Sequence, residues 1–349
     1  MISVCIITKN ESENLKKCLS LLSSYNFEIV VVDTGSDDNS KAVASSYTKN
    51  VYDFPWCNDF AQARNFSISK ATNDNILVLD TDEFITELDY SRLEQSIINN
   101  PRSIGRIHRR NYYTSMGNEM IFDELIGRLF NRKYYEYNGK IHEQLVAFDN
   151  SNPVFFEAPL HINHTGYVGD LTAREKKADR NISILKDMLK DSPSDTYLLY
   201  QLGKSFYYKE DYENATKSFE KILPLPFDYK SEYIRDMIIT YGYSLINSNQ
   251  AKKALSLIDC KSFYKDNADF IFMLGLVYMQ NELFAEAVDH FLSATSLTDC
   301  NVAGTNSYLA LYNAGVIYEC LGYPEDAKTL YLECGNYGKA IEGIKRLNI

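Results

Sequence analysis

Asn75-Ile-Leu-Val-Leu-Asp80-Thr-Asp82 holds an unbroken apolar run, entered from one polar residue and left through two carboxylates. A helix with one wet face would interrupt such a run with polar positions, so it reads as a strand buried on both faces. Ser3 to Thr8 is a second short run rich in β-branched residues, and Glu28-Ile-Val-Val-Val-Asp33 is a third. Between those two, Leu15, Leu19 and Leu22 stand at helical spacing within Glu13–Ser24. Ser36–Asn39 can cap a second helix, and Asp59–Ala71 reads as another. Continuous apolar strands alternating with helices predict an α/β domain with a mainly parallel, Rossmann-like sheet covered on both faces. In such sheets ligands sit at the carboxyl ends of the strands. Each strand here runs out into a polar cluster: Thr8-Lys-Asn-Glu11, Asp33-Thr-Gly-Ser-Asp37 and Asp80-Thr-Asp82-Glu83.

From about Leu171 the strand signal stops and the pattern is helical to the end. Gly203, Gly242, Gly275 and Gly315 are each followed twelve residues on by Ala215, Ala254, Ala287 and Ala327. Phe206, Leu245, Tyr278 and Tyr318 stand three after each glycine, and Phe219, Ile258, Phe291 and Tyr331 sixteen after. Small residues let two antiparallel helices approach while large ones fill the space beside them. This register resembles the tetratricopeptide repeat, although the glycines are 39, 33 and 40 apart against a repeat of about 34. The reading is therefore two domains, 1–168 mixed α/β and 169–349 all-α.

Composition narrows the function. Thirty-six Lys and Arg against 47 Asp and Glu give a net charge of −11, which argues against a main role in gripping nucleic acid. Residues 1–168 carry 16 basic and 22 acidic groups and the remainder 20 and 25, so neither half offers a polybasic face to an anionic bilayer. No apolar run reaches the roughly 18 residues that would span a membrane. The opening residues lack the basic, apolar and small-residue pattern of a signal peptide. Seven scattered cysteines without a Cys-x-x-Cys fit a reducing, cytoplasmic setting. Tyrosine is abundant at 27, part of it in the repeats and part at Tyr112, Tyr113, Tyr134, Tyr135 and Tyr137.

The chemistry is read from the rim. Asp80 and Asp82, delivered together at a strand end, offer hard oxygen donors that suit Mg²⁺ or Mn²⁺ and, through the ion, a diphosphate. Val4-Cys-Ile-Ile-Thr-Lys-Asn-Glu11, Val31-Val-Asp-Thr-Gly-Ser-Asp37 and Leu79-Asp-Thr-Asp82 resemble the signature blocks of glycosyltransferase family 2. Asn58-Asp-Phe-Ala-Gln-Ala-Arg-Asn65, Arg128-Leu-Phe130, Gly139-Lys-Ile-His-Glu143 and His164-Thr-Gly-Tyr167 are similar to a subgroup of it. That subgroup includes lipopolysaccharide-core transferases and bacterial peptide S-glycosyltransferases of the glycocin type, the latter with tetratricopeptide-like helices. The resemblance implies a GT-A fold, a UDP-sugar donor and inversion at the anomeric carbon.

Carried across by motif, the resemblance places Thr8, Glu11 and Asp33 at the nucleotide, and Arg64 at the diphosphate, where a guanidinium suits paired phosphate oxygens. Asp80 positions the donor, and Asp82 with His164 ligates the metal, His161 being a nearby competitor. Glu143 is the candidate general base, with Asp123 and Glu124 as rivals. His142, Arg128 and Tyr137 are expected at the acceptor or sugar pocket, and the Arg106–Gly127 segment among those choosing the sugar. Repeat helices favour a peptide or protein acceptor, through a Cys, Ser or Thr side chain. A lipopolysaccharide or other cell-surface glycan is the alternative acceptor, and a non-catalytic repeat scaffold the alternative function. Homodimerisation through the repeats is a further expectation the residues leave open.

Overall fold

The computed structural model describes residues 1–115, 118–167 and 171–347. The chain divides into two compact units, Met1–Asp170 and Leu171–Ile349. The boundary expected from sequence, between residues 168 and 169, lies outside the described residues.

In the first unit, β1 (Ile2–Thr8), α1 (Ser12–Leu22), β2 (Glu28–Asp33), α2 (Ser40–Tyr47), β3 (Val51–Asp53) and α3 (Phe60–Lys70) precede β4 (Asn75–Leu79). β5 (Glu83–Leu88), α4 (Tyr90–Asn99), β6 (Ile104–Ser115), β7 (Asn118–Asn131), β8 (Tyr135–Asn138), β9 (Gln144–Ala147) and β10 (Phe155–Tyr167) complete it. Eight strands form one sheet in the order β3-β2-β1-β4-β7-β6-β10-β5, and β8 pairs β9 separately.

The anticipated strands are present and parallel: β2 and β4 flank β1, with β3 beyond β2. The period of two in β1 explains why both faces are covered. Ile2, Val4 and Ile6 pack with Leu15, Leu19 and Leu22 of α1, whereas Cys5 packs with Ala61 and Ile68 of α3. All but Ala61 and Ile68 of these are essentially inaccessible to water, and each large aliphatic contributes about 1.5–3 kcal/mol by burial. α3 starts where Asp59 accepts the amide of Gln62 at 2.9 Å, a side-chain cap on an otherwise orphaned donor. The other half of the sheet is mixed: β7 runs antiparallel to β4 and β6, β10 is parallel to β6, and β5 is antiparallel to β10. This topology brings the start of β5 against His164 of β10.

In the second unit a long helix, Leu171–Asp191, precedes paired helices. The pairs are Thr196–Tyr208 with Tyr212–Glu220, Ala268–Gln280 with Phe284–Ala294, and Tyr308–Cys320 with Pro324–Glu333; Gly338–Leu347 follows the last. The small-to-large register is borne out in these three. A methyl group on Gly203 would strike the ring of Phe219, one on Gly275 would stand 2.6 Å from Phe291, and one on Gly315 2.7 Å from Tyr331. The second repeat departs from it. After Glu232–Asn247 the partner breaks into Ala251–Ala254, a 3₁₀ stretch Leu255–Cys260 and Lys261–Tyr264, and Gly242 meets Met273 of the next repeat instead of Ile258. One further position recurs seven residues after each glycine: Glu210, Asn249, Glu282 and Gly322 all adopt left-handed backbone, at φ 63°, 59°, 61° and 83°. That residue closes the first helix of each pair and turns the chain back.

Candidate active site

The register of the parallel strands sets Thr8 opposite Asp33, and Ile6 opposite Leu79, so the three polar clusters share one edge of the sheet. Asp33 folds its own loop. Its Oδ1 accepts the amides of Gly35 at 2.9 Å and Ser36 at 2.8 Å, with Gly35 at φ 101°. Its Oδ2 is buried and has no hydrogen-bond partner among the described residues, and the same holds for the neighbouring Thr8 hydroxyl. Two orphaned polar atoms side by side in a buried site call for a polar ligand. Thr34 closes the turn by donating its amide and hydroxyl to the Thr8 carbonyl, at 2.9 and 3.0 Å. Glu11 accepts from the Asn14 side chain at 2.8 Å.

The second part of the rim is ionic. Arg64, buried on α3, donates Nε to Glu143 and Nη2 to Asp80 Oδ1 at 2.7 Å; its Nη1 is buried without a partner among the described residues. Arg128 reaches the other Asp80 oxygen at 2.8 Å and Glu83 at 3.0 Å. Arg109 donates to Glu83 at 2.9 Å and twice to Glu124 Oε1, at 3.0 and 2.8 Å. Asn111 donates to that same Glu124 oxygen at 2.8 Å, and its carbonyl oxygen stands 2.7 Å from His164 Nδ1. His164 Nε2 lies 3.5 Å from Asp82 Oδ2. An unbroken chain of contacts therefore joins Glu143 to Asp82, ten side chains with the two ends included, on α3, β5, β6, β7, β10 and the intervening loops.

Five carboxylates (Asp80, Asp82, Glu83, Glu124, Glu143) meet three guanidiniums (Arg64, Arg109, Arg128) in this chain, a formal excess of two negative charges. Burial alone would raise the Asp80 carboxyl, but Arg64 and Arg128 hold it well below its ordinary range. Burial opposes the charge on Arg128, and Glu83 and Asp80 overcome it, leaving its value well above the ordinary one.

Sequence-predicted residues are distributed unequally. Asp80, Arg64 and Glu143 come together, Asp82 meets His164, and Thr8 stands beside Asp33. His161 is exposed and stacks on His108, ring centroids 4.4 Å apart, so of the two competing histidines His164 is the one against Asp82. Arg128 and Tyr137, expected at the acceptor or sugar pocket, are buried: Arg128 donates to Asp80 and Glu83, and Tyr137 packs edge-on to Phe130 with Arg64 over its ring. Tyr135 is likewise buried and donates to the Arg102 carbonyl at 2.6 Å. The side chain of Tyr113 lies outside the described residues. His142 adopts left-handed backbone, φ 51°, in the loop that carries Glu143 to Arg64; such strain clusters at ligand sites. Of the rivals for the base, Asp123 pairs with exposed Arg110, and Glu124 is held by Arg109 and Asn111.

Glu83, Arg109 and Asn111 as members of the network went unread. Charged residues in a strand read as a solvated face, and only the adjacency of Glu83 to the Asp80-Thr-Asp82 turn hinted otherwise. Among the described residues no three His, Cys, Asp or Glu side chains form a ready-made cation cage. Asp82 and His164 nevertheless make a two-donor set of a carboxylate and an imidazole, which fits a divalent ion whose remaining positions are filled by phosphate oxygens and water.

Residues 3–155 match the family model for Glycosyl transferase family 2. The chain is 30% identical over 225 residues to a TPR repeat-containing protein of Synechococcus elongatus, covering 62% of this chain and 55% of that protein. It is 27% identical over 301 residues to the SPbeta prophage-derived glycosyltransferase SunS of Bacillus subtilis, covering 80% and 67%. The chain thus spans little more than half the length of the first relative and about two thirds of the second. Among solved structures it is similar to YrrB, a TPR protein with an unusual peptide-binding site, at 21% identity, 50% of this chain, 87% of that chain and a TM-score of 0.41. No helix among the described residues is long and apolar enough to cross a membrane. Residues 3–155 are thus similar to glycosyl transferase family 2, and the paired helices of the second unit follow them in sequence.

Proposed function

We propose that the chain is a metal-dependent, inverting glycosyltransferase that moves a sugar from a UDP-sugar to a Cys, Ser or Thr side chain of a polypeptide. The observation that carries this reading is the shared rim. It offers a buried carboxylate oxygen at Asp33 without a hydrogen-bond partner among the described residues, and an Asp82–His164 pair at one end of an ion network. Asp33 Oδ2 accepts a uracil N–H or ribose hydroxyl, with Thr8 and Glu11 beside it. Arg64 Nη1 is directed to the diphosphate while its other nitrogens hold Asp80 and Glu143 in place. Asp82 and His164 would hold Mn²⁺ or Mg²⁺, which when bound neutralises charge on the departing UDP. Glu143 takes the acceptor proton at Oε2 while Arg64 holds Oε1. A thiol acceptor, being more acidic than a hydroxyl, asks less of that base.

The helical repeats support a polypeptide acceptor. Their first two repeats gather Tyr197, Tyr200 and Tyr233, with centroids 5.4–6.0 Å apart. The nearby Lys204 and the Tyr200 hydroxyl both donate to Asp236, at 2.7 and 2.6 Å. Tyr197 and Tyr233, partly exposed beside the buried Tyr200, provide contact area at low side-chain entropy cost.

Incubation with UDP-glucose or UDP-N-acetylglucosamine, Mn²⁺ and a peptide containing Cys and Ser, followed by intact-mass measurement, tests the reading. The expected result is addition of one hexose or N-acetylhexosamine to the peptide. Asp82→Ala is expected to lower turnover by about 100-fold or more, the scale of losing one charge-stabilising group. Undiminished turnover in that variant overturns the metal assignment. Transfer to a glycan acceptor with none to any peptide overturns the acceptor assignment.

A further inference from the structure

We infer that Asn111 is a positioning residue that fixes the tautomer of His164, presenting the Nε2 lone pair to the cation position beside Asp82. The inference rests on the proposed metal-dependent reading and extends it to a residue with no motif of its own. Asn111 is 3% exposed, and its amide nitrogen faces two acceptors, Glu124 Oε1 at 2.8 Å and the Phe122 carbonyl at 3.2 Å. A carboxylate and a carbonyl can only accept, so the nitrogen of the amide must be on that side. The other end, 2.7 Å from His164 Nδ1, is then the amide oxygen, also an acceptor. Nδ1 must therefore carry the hydrogen. In the neutral ring that leaves the lone pair on Nε2, the nitrogen 3.5 Å from Asp82.

Glu124 is itself pinned by two donors from Arg109, which Glu83 holds from the other side. The orientation of one imidazole is thus traced back through an amide, a carboxylate and a guanidinium to a fully buried glutamate. Partners of this kind keep a ligand histidine in one tautomer and one ring orientation, and their loss typically costs about 10–100-fold in metal affinity.

Two measurements test the inference, one needing no metal. In the metal-free protein at pH 8, long-range ¹H–¹⁵N spectra of the His164 ring are expected to report the Nδ1–H tautomer, and Asn111→Leu to shift the ring toward Nε2–H. Direct titration of Mn²⁺ in the presence of UDP is expected to weaken about 10–100-fold in Asn111→Leu. An Nε2–H ring in the parent protein, or a parent-like Mn²⁺ affinity in folded Asn111→Leu, overturns the inference while leaving the transferase reading standing. A parent protein that shows the Nδ1–H ring but takes up no Mn²⁺ with UDP defeats the metal assignment itself, and with it the purpose inferred for Asn111.

Discussion

The two units are held together by opposite means. Around its rim the first is organised by buried charge: Glu83, wholly inaccessible, accepts from Arg109 and Arg128 and from the Asp80 amide. The second is organised by steric fit, with aromatic rings seated over glycines that have no room for a methyl group. The difference is one of tolerance. Steric packing degrades in proportion to the misfit, because neighbours can give by fractions of an ångström. A buried ion network fails abruptly, because removing one member leaves its partners charged and desolvated. Groups in the brittle region have positions that cannot drift, which suits the chemistry proposed for them.

The largest effect should come from breaking that network at its hub. Glu83→Gln conserves shape but leaves Arg109 and Arg128 with one negative charge fewer between them. It should destabilise the N-terminal unit by about 3–5 kcal/mol. The single tryptophan, Trp56, lies in that unit beside Phe60, so its fluorescence during urea unfolding isolates the change. A loss below 1 kcal/mol would show that the network is dispensable to the fold.

Next in size is a steric break in the other unit. Gly315→Ala presses a methyl group against Tyr331, which Gly343 also approaches closely on its other edge. Relief on either side is therefore blocked, and a loss of about 1–3 kcal/mol is expected. It should appear in the far-ultraviolet circular dichroism melt and leave the Trp56 transition in place.

Acidification should give the smallest effect, and one of opposite sign in the two units. Asp80 is held below its ordinary value of 3.8, so the stability it contributes is complete above that value and is lost as pH falls through its lower folded value. Burial raises Asp269 despite hydrogen bonds from Thr305 and the Asn301 and Val302 amides. The cost of ionising it is relieved as pH falls through its raised value toward 3.8. Urea midpoints followed by Trp56 should therefore fall as the pH drops below 3.8, while the helical signal gains slightly as the pH approaches 3.8 from above. Parallel loss of both signals would refute the contrast.

Sequence and structure agree where one residue type implies one environment. Val30, Val31 and Val32 could only be a buried strand, and Gly203 with Phe219 could only be a close helix pair. Agreement ends where a residue's meaning depends on distant partners. Within His108-Arg109-Arg110 the middle residue serves Glu83 and Glu124, while the outer two serve the exposed Glu157 and Asp123, a division that three consecutive basic residues do not reveal. Tyr137, expected at the acceptor or sugar pocket from its place before the His142-Glu143 block, is buried with Phe130 and Arg64 against its ring. The left-handed turns at Glu210 and Glu282 carried no glycine to announce them, because the repeat imposes that conformation from outside. Proximity of Asp82 to His164, some eighty positions apart, follows from β5 and β10 being neighbours, which no local pattern encodes.

Asp33 divides its carboxylate between two tasks: one oxygen builds the loop that the other oxygen serves. Recognition loops usually lose conformational freedom when a ligand arrives, and that loss is subtracted from affinity. Here the ordering belongs to folding, since the Gly35 and Ser36 amides are already engaged. Whatever occupies the second oxygen meets a surface with little left to freeze, so its selectivity resides in shape and hydrogen-bond direction, with almost no contribution from induced order.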